Sequence, residues 1–150
     1  SSLLKYDSVH GKFNANILFN KNSLIINKNK ISFSQKTNIE DIQWKKYGVD
    51  YVFECTGKFN SKDKLIPHLK NGAKKVIVSA PCKGADKTVV FGVNHKEVTK
   101  EHKIISAASC TTNCLAPVVM VINEKFGIEK EIREWTERLI GEVNVTNKVK

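Results

Sequence analysis

Val49-Asp-Tyr-Val-Phe-Glu-Cys55, the run over residues 61–69, and Lys75-Val-Ile-Val-Ser79 decide the fold. The outer two are short, near-continuous apolar segments rich in β-branched and aromatic residues, the pattern of strands buried in a parallel sheet. The middle one has the spacing of an amphipathic helix, and Asn71-Gly72 stops it. Strand, helix and strand in that order make a β-α-β unit. Downstream, Thr88-Val-Val-Phe91 and Lys103-Ile-Ile-Ser106 add two further apolar strands, and residues 111–126 read as a long helix. The predicted class is therefore α/β with a mainly parallel sheet. Ligands of such sheets sit beyond the carboxyl ends of the strands, and Thr56-Gly57, Ser79-Ala80-Pro81 and Ser109-Cys110 all fall there.

Upstream the pattern differs. Residues 16–20 alternate as a strand, and residues 23–27 and 30–34 form a β-hairpin about a Lys28-Asn29 turn. Residues 38–47 place Ile39, Ile42, Trp44 and Tyr47 near helical spacing, with Asn38 as cap and Gly48 as stop. At the other end both arginines of the chain, Arg133 and Arg138, lie beyond Ile128, and Ile132, Trp135 and Leu139 make a helical stripe. A compositional seam is expected near residues 128–131.

Composition restricts the classes. The chain has 150 residues, 41% hydrophobic and 27% charged, which suits a folded domain. No apolar run reaches the roughly 18 residues of a membrane helix, and Lys5 and Asp7 interrupt any signal-peptide core. The net charge of +10 raises nucleic acid as a partner, but the lysines are scattered without interleaved aromatics, so no dedicated nucleic-acid site is expected. Cys55, Cys82, Cys110 and Cys114 contain no Cys-x-x-Cys pair. That spacing excludes zinc-finger and thioredoxin readings; no metal site is expected, and free thiols and a cytoplasmic location are.

Cys110 follows a strand and opens a helix, where backbone N–H groups and the helix dipole stabilise a thiolate. Ser109 or Thr111 can cap the turn, and Cys114 lies one helical turn on. A nucleophilic cysteine also needs a general base, usually histidine. Against this stands a plain buried cysteine pair within a helix. Gly57 permits close approach of a ligand to the backbone, though an ordinary strand-to-loop turn has the same sequence. Asn94-His95 reads as the start of a short helix, while His10, His68 and His102 read as surface or packing residues. No Gly-x-Gly-x-x-Gly is present, so spacing alone gives no dinucleotide fingerprint.

Five stretches taken together resemble phosphorylating glyceraldehyde-3-phosphate dehydrogenase of the bacterial type. They are Leu4-Lys-Tyr-Asp-Ser-Val-His-Gly-Lys-Phe13, Val52-Phe-Glu-Cys-Thr-Gly-Lys-Phe59, Gly72-Ala-Lys-Lys-Val-Ile-Val-Ser-Ala-Pro81, Gly92-Val-Asn-His95 and Ser109-Cys-Thr-Thr-Asn-Cys-Leu-Ala-Pro117. The resemblance runs from residue 1 to about residue 128. It implies a partial Rossmann-like NAD-binding domain with a β-hairpin insertion, ending in the catalytic-cysteine helix. Residues 129–150 then form a divergent tail, and the substrate domain is missing.

The resemblance also implies chemistry. Cys110 would attack the aldehyde of glyceraldehyde 3-phosphate, hydride would pass to NAD, and inorganic phosphate would cleave the thioester to 1,3-bisphosphoglycerate. Ser109, Cys110 and Thr111 match the substrate-binding segment; Thr56, Gly57 and Ser79 match positions lining the cofactor. NADP stays open, because the family's glycine-rich turn and ribose-reading acidic residue have no counterpart here. The family's histidine base has none either; Glu129-Lys-Glu-Ile-Arg-Glu-Trp135 stands in its place. The isolated chain is accordingly expected to be weakly active or inactive, although the full-length family forms homo-oligomers. The alternatives are a non-catalytic interaction module, docking through the stripe of Ile132, Trp135 and Leu139, and a relative of erythrose-4-phosphate dehydrogenase.

Overall fold

The computed structural model of the chain describes residues 2–20 and 23–128. These divide into two units, Ser1–Thr37 and Asn38–Lys150. The first unit opens with a helical turn, α1 (Ser2–Lys5), and two short strands, β1 (Tyr6–Asp7) and β2 (Gly11–Lys12), paired antiparallel. Asp7 closes their turn, its Oδ1 accepting from the N–H groups of Val9 (2.9 Å) and His10 (2.7 Å). Strands β3 (Ile17–Asn20), β4 (Ser23–Ile26) and β5 (Asn29–Ser32) follow as an antiparallel sheet. Ile26 pairs with Asn29, so the two-residue turn is Asn27-Lys28, one residue earlier than the sequence suggests. Asn27 takes φ +56°, a left-handed conformation that asparagine tolerates and that hairpin turns of this type require.

The second unit begins with two separate 3-10 turns, Ile39–Asp41 and Trp44–Tyr47, where one helix was expected. Asn38 makes no side-chain cap, and Ile42 is extended (ψ 119°), which breaks the run. Gly48 does end the second turn, at φ +63°. The parallel sheet then builds from β6 (Tyr51–Glu54), α2 (Lys62–Lys70), β7 (Lys75–Val78), β8 (Lys87–Thr88), β9 (Ile104–Ser106) and finally α3 (Cys110–Phe126). Strand order is β6-β7-β9-β8, all parallel. Two expectations need correction. The strand predicted at Thr88-Val-Val-Phe91 shrinks to Lys87–Thr88, because the chain turns after Val90: Asn94 Oδ1 accepts the Val90 N–H (2.8 Å) and Asn94 Nδ2 donates to Thr88 O (2.9 Å). And β6 is not buried on both faces. It lies at the sheet edge, with Val52 and Glu54 inward and Tyr51 and Phe53 exposed.

One core cluster joins Val52, Leu65, Ala73, Val76, Val78, Cys82 and Ile104, packing α2 on the sheet; a second joins Val90, Ala108, Ala116 and Val119 under α3. Two charged side chains secure the amino end of β9. Lys75 Nζ donates to the carbonyls of Thr99 (3.0 Å) and His102 (2.6 Å). Asp86 Oδ2 accepts from the N–H groups of Lys103 (2.7 Å) and Ile104 (2.8 Å), while its Oδ1 pairs with Lys62 of α2.

Candidate functional site

The register of the sheet builds the site. Glu54 pairs with Val78, and Val78 pairs with Ser106, so β6, β7 and β9 end in one row. The loops leaving them are tied side by side. Ser79 donates its N–H (3.0 Å) and its hydroxyl (3.3 Å) to Glu54 O, and the Ala107 N–H donates to Val78 O (2.8 Å). Beyond this row stand Thr56 and Gly57, Ser79, and the segment Ser109-Cys110-Thr111. Thr56, Gly57, Ser79, Cys110 and Thr111 are exposed, and Ser109 is half-buried.

Cys110 is the first residue of α3, where the leading N–H groups of a helix have no intrahelical acceptor. Ser109 caps the helix, its Oγ accepting the Thr112 N–H (3.0 Å) and bonding the Thr112 hydroxyl (2.7 Å). That fulfils the capping role foreseen for Ser109 and engages its hydroxyl; the Thr111 hydroxyl lies 3.9 Å from Cys110 Sγ. Asn113 Nδ2 donates to the carbonyls of Ala107 and Ser109, both at 2.8 Å, and locks the entry to the helix. Ala108 is buried at φ +60°. A non-glycine residue in this region carries strain that the surroundings must hold.

Gly57 has φ +73°, with nothing within 4 Å of where a Cβ would stand, so the backbone there is open to a ligand. The four histidines are engaged elsewhere. His10 bonds Asp7, His68 accepts from Trp44, His95 Nδ1 accepts the Gly92 N–H, and His102 Nδ1 accepts the Thr99 N–H. Cys55 and Cys114 are exposed and Cys82 is buried.

The family model described as "Glyceraldehyde 3-phosphate dehydrogenase, NAD binding domain" matches residues 1–62, and that of the same family's C-terminal domain matches residues 109–149. Glyceraldehyde-3-phosphate dehydrogenase 2 of Bacillus subtilis is 49% identical over 128 residues, 85% of this chain and 38% of that protein. The Thermotoga maritima enzyme of the same name is 51% identical over 126 residues, 84% of this chain and 38% of its own length. The chain belongs to the glyceraldehyde-3-phosphate dehydrogenase family. It spans about two-fifths of the length of these relatives. Three of the stretches that carry the resemblance, those over residues 52–59, 72–81 and 109–117, reach the row of strand ends. The readings for residues 129–150, the divergent tail and its stripe of Ile132, Trp135 and Leu139, lie outside the described residues. Among the described residues no helix is long and apolar enough to cross a membrane.

Sequence reasoning passed over one group at this site. Glu54 is buried beneath the Thr56-Gly57 turn, beside buried His68. An acidic residue at an inward strand position, two after Val52 and on the same face, was the available signal.

Proposed function

We propose that the chain contributes the nucleophile and part of the cofactor site for NAD-dependent oxidation of glyceraldehyde 3-phosphate to 1,3-bisphosphoglycerate. The observation that carries this reading is the placement of Cys110 at the first turn of α3, beyond the row of strand ends bearing Thr56, Gly57 and Ser79. Cys110 Sγ bonds to the aldehyde carbon, and the developing oxyanion lies toward the N–H groups that open α3, with a proton completing a hemithioacetal. NAD, when bound, supplies the hydride acceptor that converts this adduct into a thioester. A phosphate oxygen then attacks the thioester carbon, the C–S bond breaks and the thiolate is released. Thr111 faces the substrate, and Ser109 fixes the turn that presents Cys110.

The residues present fit one end of a dinucleotide. The open backbone at Gly57 and the exposed side chains of Thr56 and Ser79 would hold it. General-base assistance is worth about 10²–10⁴-fold. With every histidine engaged elsewhere, the 150-residue chain itself turns over slowly or not at all. A homo-oligomer and a cytoplasmic location follow from the same reading.

Acetyl phosphate tests the nucleophile, since its acyl group can pass to a thiol with release of phosphate. Mass spectrometry should find one acetyl group per chain, on Cys110, and none there in Cys110→Ser. Acylation spread evenly over Cys55, Cys110 and Cys114 refutes the assignment. Rapid NADH formation from glyceraldehyde 3-phosphate, NAD and phosphate refutes the low turnover.

A further inference from the structure

Glu54 is 5% exposed and has no part in the steps above. Its carboxylate oxygens are divided between two tasks. Oε1 accepts the Thr56 N–H (2.8 Å) and the Thr56 hydroxyl. Oε2 faces Nε2 of His68 at 3.5 Å, a charge contact longer than a formed hydrogen bond. That Nε2 is fully buried and has no hydrogen-bond partner. On the opposite side of the ring, Nδ1 accepts the indole N–H of Trp44 (2.9 Å). An indole nitrogen only donates, so the ring proton sits on Nε2, toward Glu54. A doubly protonated ring would set two N–H groups against each other at Trp44. Burial works in the same direction, holding His68 below the ordinary histidine range against the pull of Glu54.

Two elements thus meet at the carboxylate, helix α2 bearing His68 and the turn leaving β6, and the 3-10 turn bearing Trp44 backs His68 from the far side of its ring. We infer that Glu54 is a positioning residue, clamping Thr56 so that Gly57 keeps its left-handed, open form for the dinucleotide, and that Trp44 and His68 hold Glu54 in place. The inference rests on the cofactor reading proposed above. Thr56 is exposed, and Lys58 adds only a 3.2 Å N–H contact to its hydroxyl. Among the described residues Glu54 is the one side chain that fixes both the N–H and the hydroxyl of Thr56.

The test uses the 150-residue chain, with NAD affinity by titration calorimetry and amide exchange by NMR. Val76, whose N–H donates to Lys103 O in the core, reports on the fold. Glu54→Ala should weaken NAD about tenfold or more and speed Thr56 exchange by a similar factor while Val76 stays protected. His68→Phe should give a smaller change in the same direction. If Glu54→Ala loses Val76 protection, Glu54→Gln, which keeps the volume and one acceptor, carries the same comparison. NAD affinity within twofold of wild type, or unchanged Thr56 exchange, in the folded variant overturns the clamp while leaving the cofactor reading intact. Absence of NAD binding by the wild-type chain overturns the cofactor reading, and the positioning role with it.

Discussion

Removing the Asp86 carboxylate should loosen the amino end of β9 and lower the melting temperature. Asp86→Ala deletes acceptors for the N–H groups of Lys103 and Ile104 and for Lys62. Hydrogen bonds to a charged acceptor contribute about 1.5–3 kcal/mol each. The Lys103 N–H is exposed and regains water, so it counts at the low end, whereas Ile104 is fully buried. The Lys62 side chain is 44% exposed, and solvent screening makes that pair a minor contributor. The loss is then roughly 3–4.5 kcal/mol, or about 6–18 °C for a domain of this size. The effect depends on pH with a definite sign. Burial tends to raise the Asp86 pKa, but the Lys62 pairing and the two backbone donors outweigh it and hold the pKa below its ordinary 3.8. A depressed carboxylate contributes stability above its unfolded pKa and loses it as pH falls through the folded value. Thermal melts followed by circular dichroism should therefore show the full gap between wild type and variant at neutral pH, closing below about pH 3.8. A gap of less than about 1 °C at neutral pH, or one that persists undiminished in acid, refutes the reasoning.

Other substitutions probe the frame of the site. In Gly72→Ala a Cβ would stand 2.6 Å from Lys45 Cβ and 2.9 Å from Lys45 N at φ +108°; the urea midpoint should fall by the equivalent of about 2 kcal/mol or more. Ser109→Ala removes the cap on Thr112 and should cost about 1 kcal/mol, read in the same denaturation assay, with slower acylation of Cys110. Gly57→Val forces a branched side chain to φ +73° and fills the open approach. NAD affinity should drop about tenfold or more, while stability falls by only about 1–2 kcal/mol; unchanged affinity would remove Gly57 from the cofactor site.

The alternation of strand and helix across residues 49–79 was legible because hydrophobic period carries burial directly, and the strand ends at Thr56, Ser79 and Ser109 followed from it. The helix cap at Ser109 was legible for the same local reason. Periodicity failed where the backbone leaves the regular path or a side chain competes with the ladder. Residues 38–47 carry apolar residues at helical spacing, yet the extended backbone at Ile42 splits them into two turns. The strand at Thr88 ends early because Asn94 captures the Val90 N–H from outside the ladder. Burial of Glu54 depends on His68 and Trp44, fourteen and ten residues away in sequence, and no local pattern reports such a partner. Edge position is likewise a property of the sheet, so the exposure of Tyr51 and Phe53 could not be read from β6 alone.

Because strands are nearly inextensible, with about 3.3 Å per residue, anchoring one end of β9 determines where its other end stops. Asp86 and Lys75 grip the chain around residues 99–104, and Cys110 emerges from the far side of the sheet. A two-residue slip of β9 along β7 would preserve which face each side chain takes but put His102 or Ser106 in the place of buried Ile104, so core packing and the charged grips oppose it together. It would also carry Cys110 about 6.6 Å from the loops at Thr56 and Ser79. Alignment of the Cys110 thiol with Thr56 and Ser79 is thus enforced at a distance, in part by charged groups that touch none of the three.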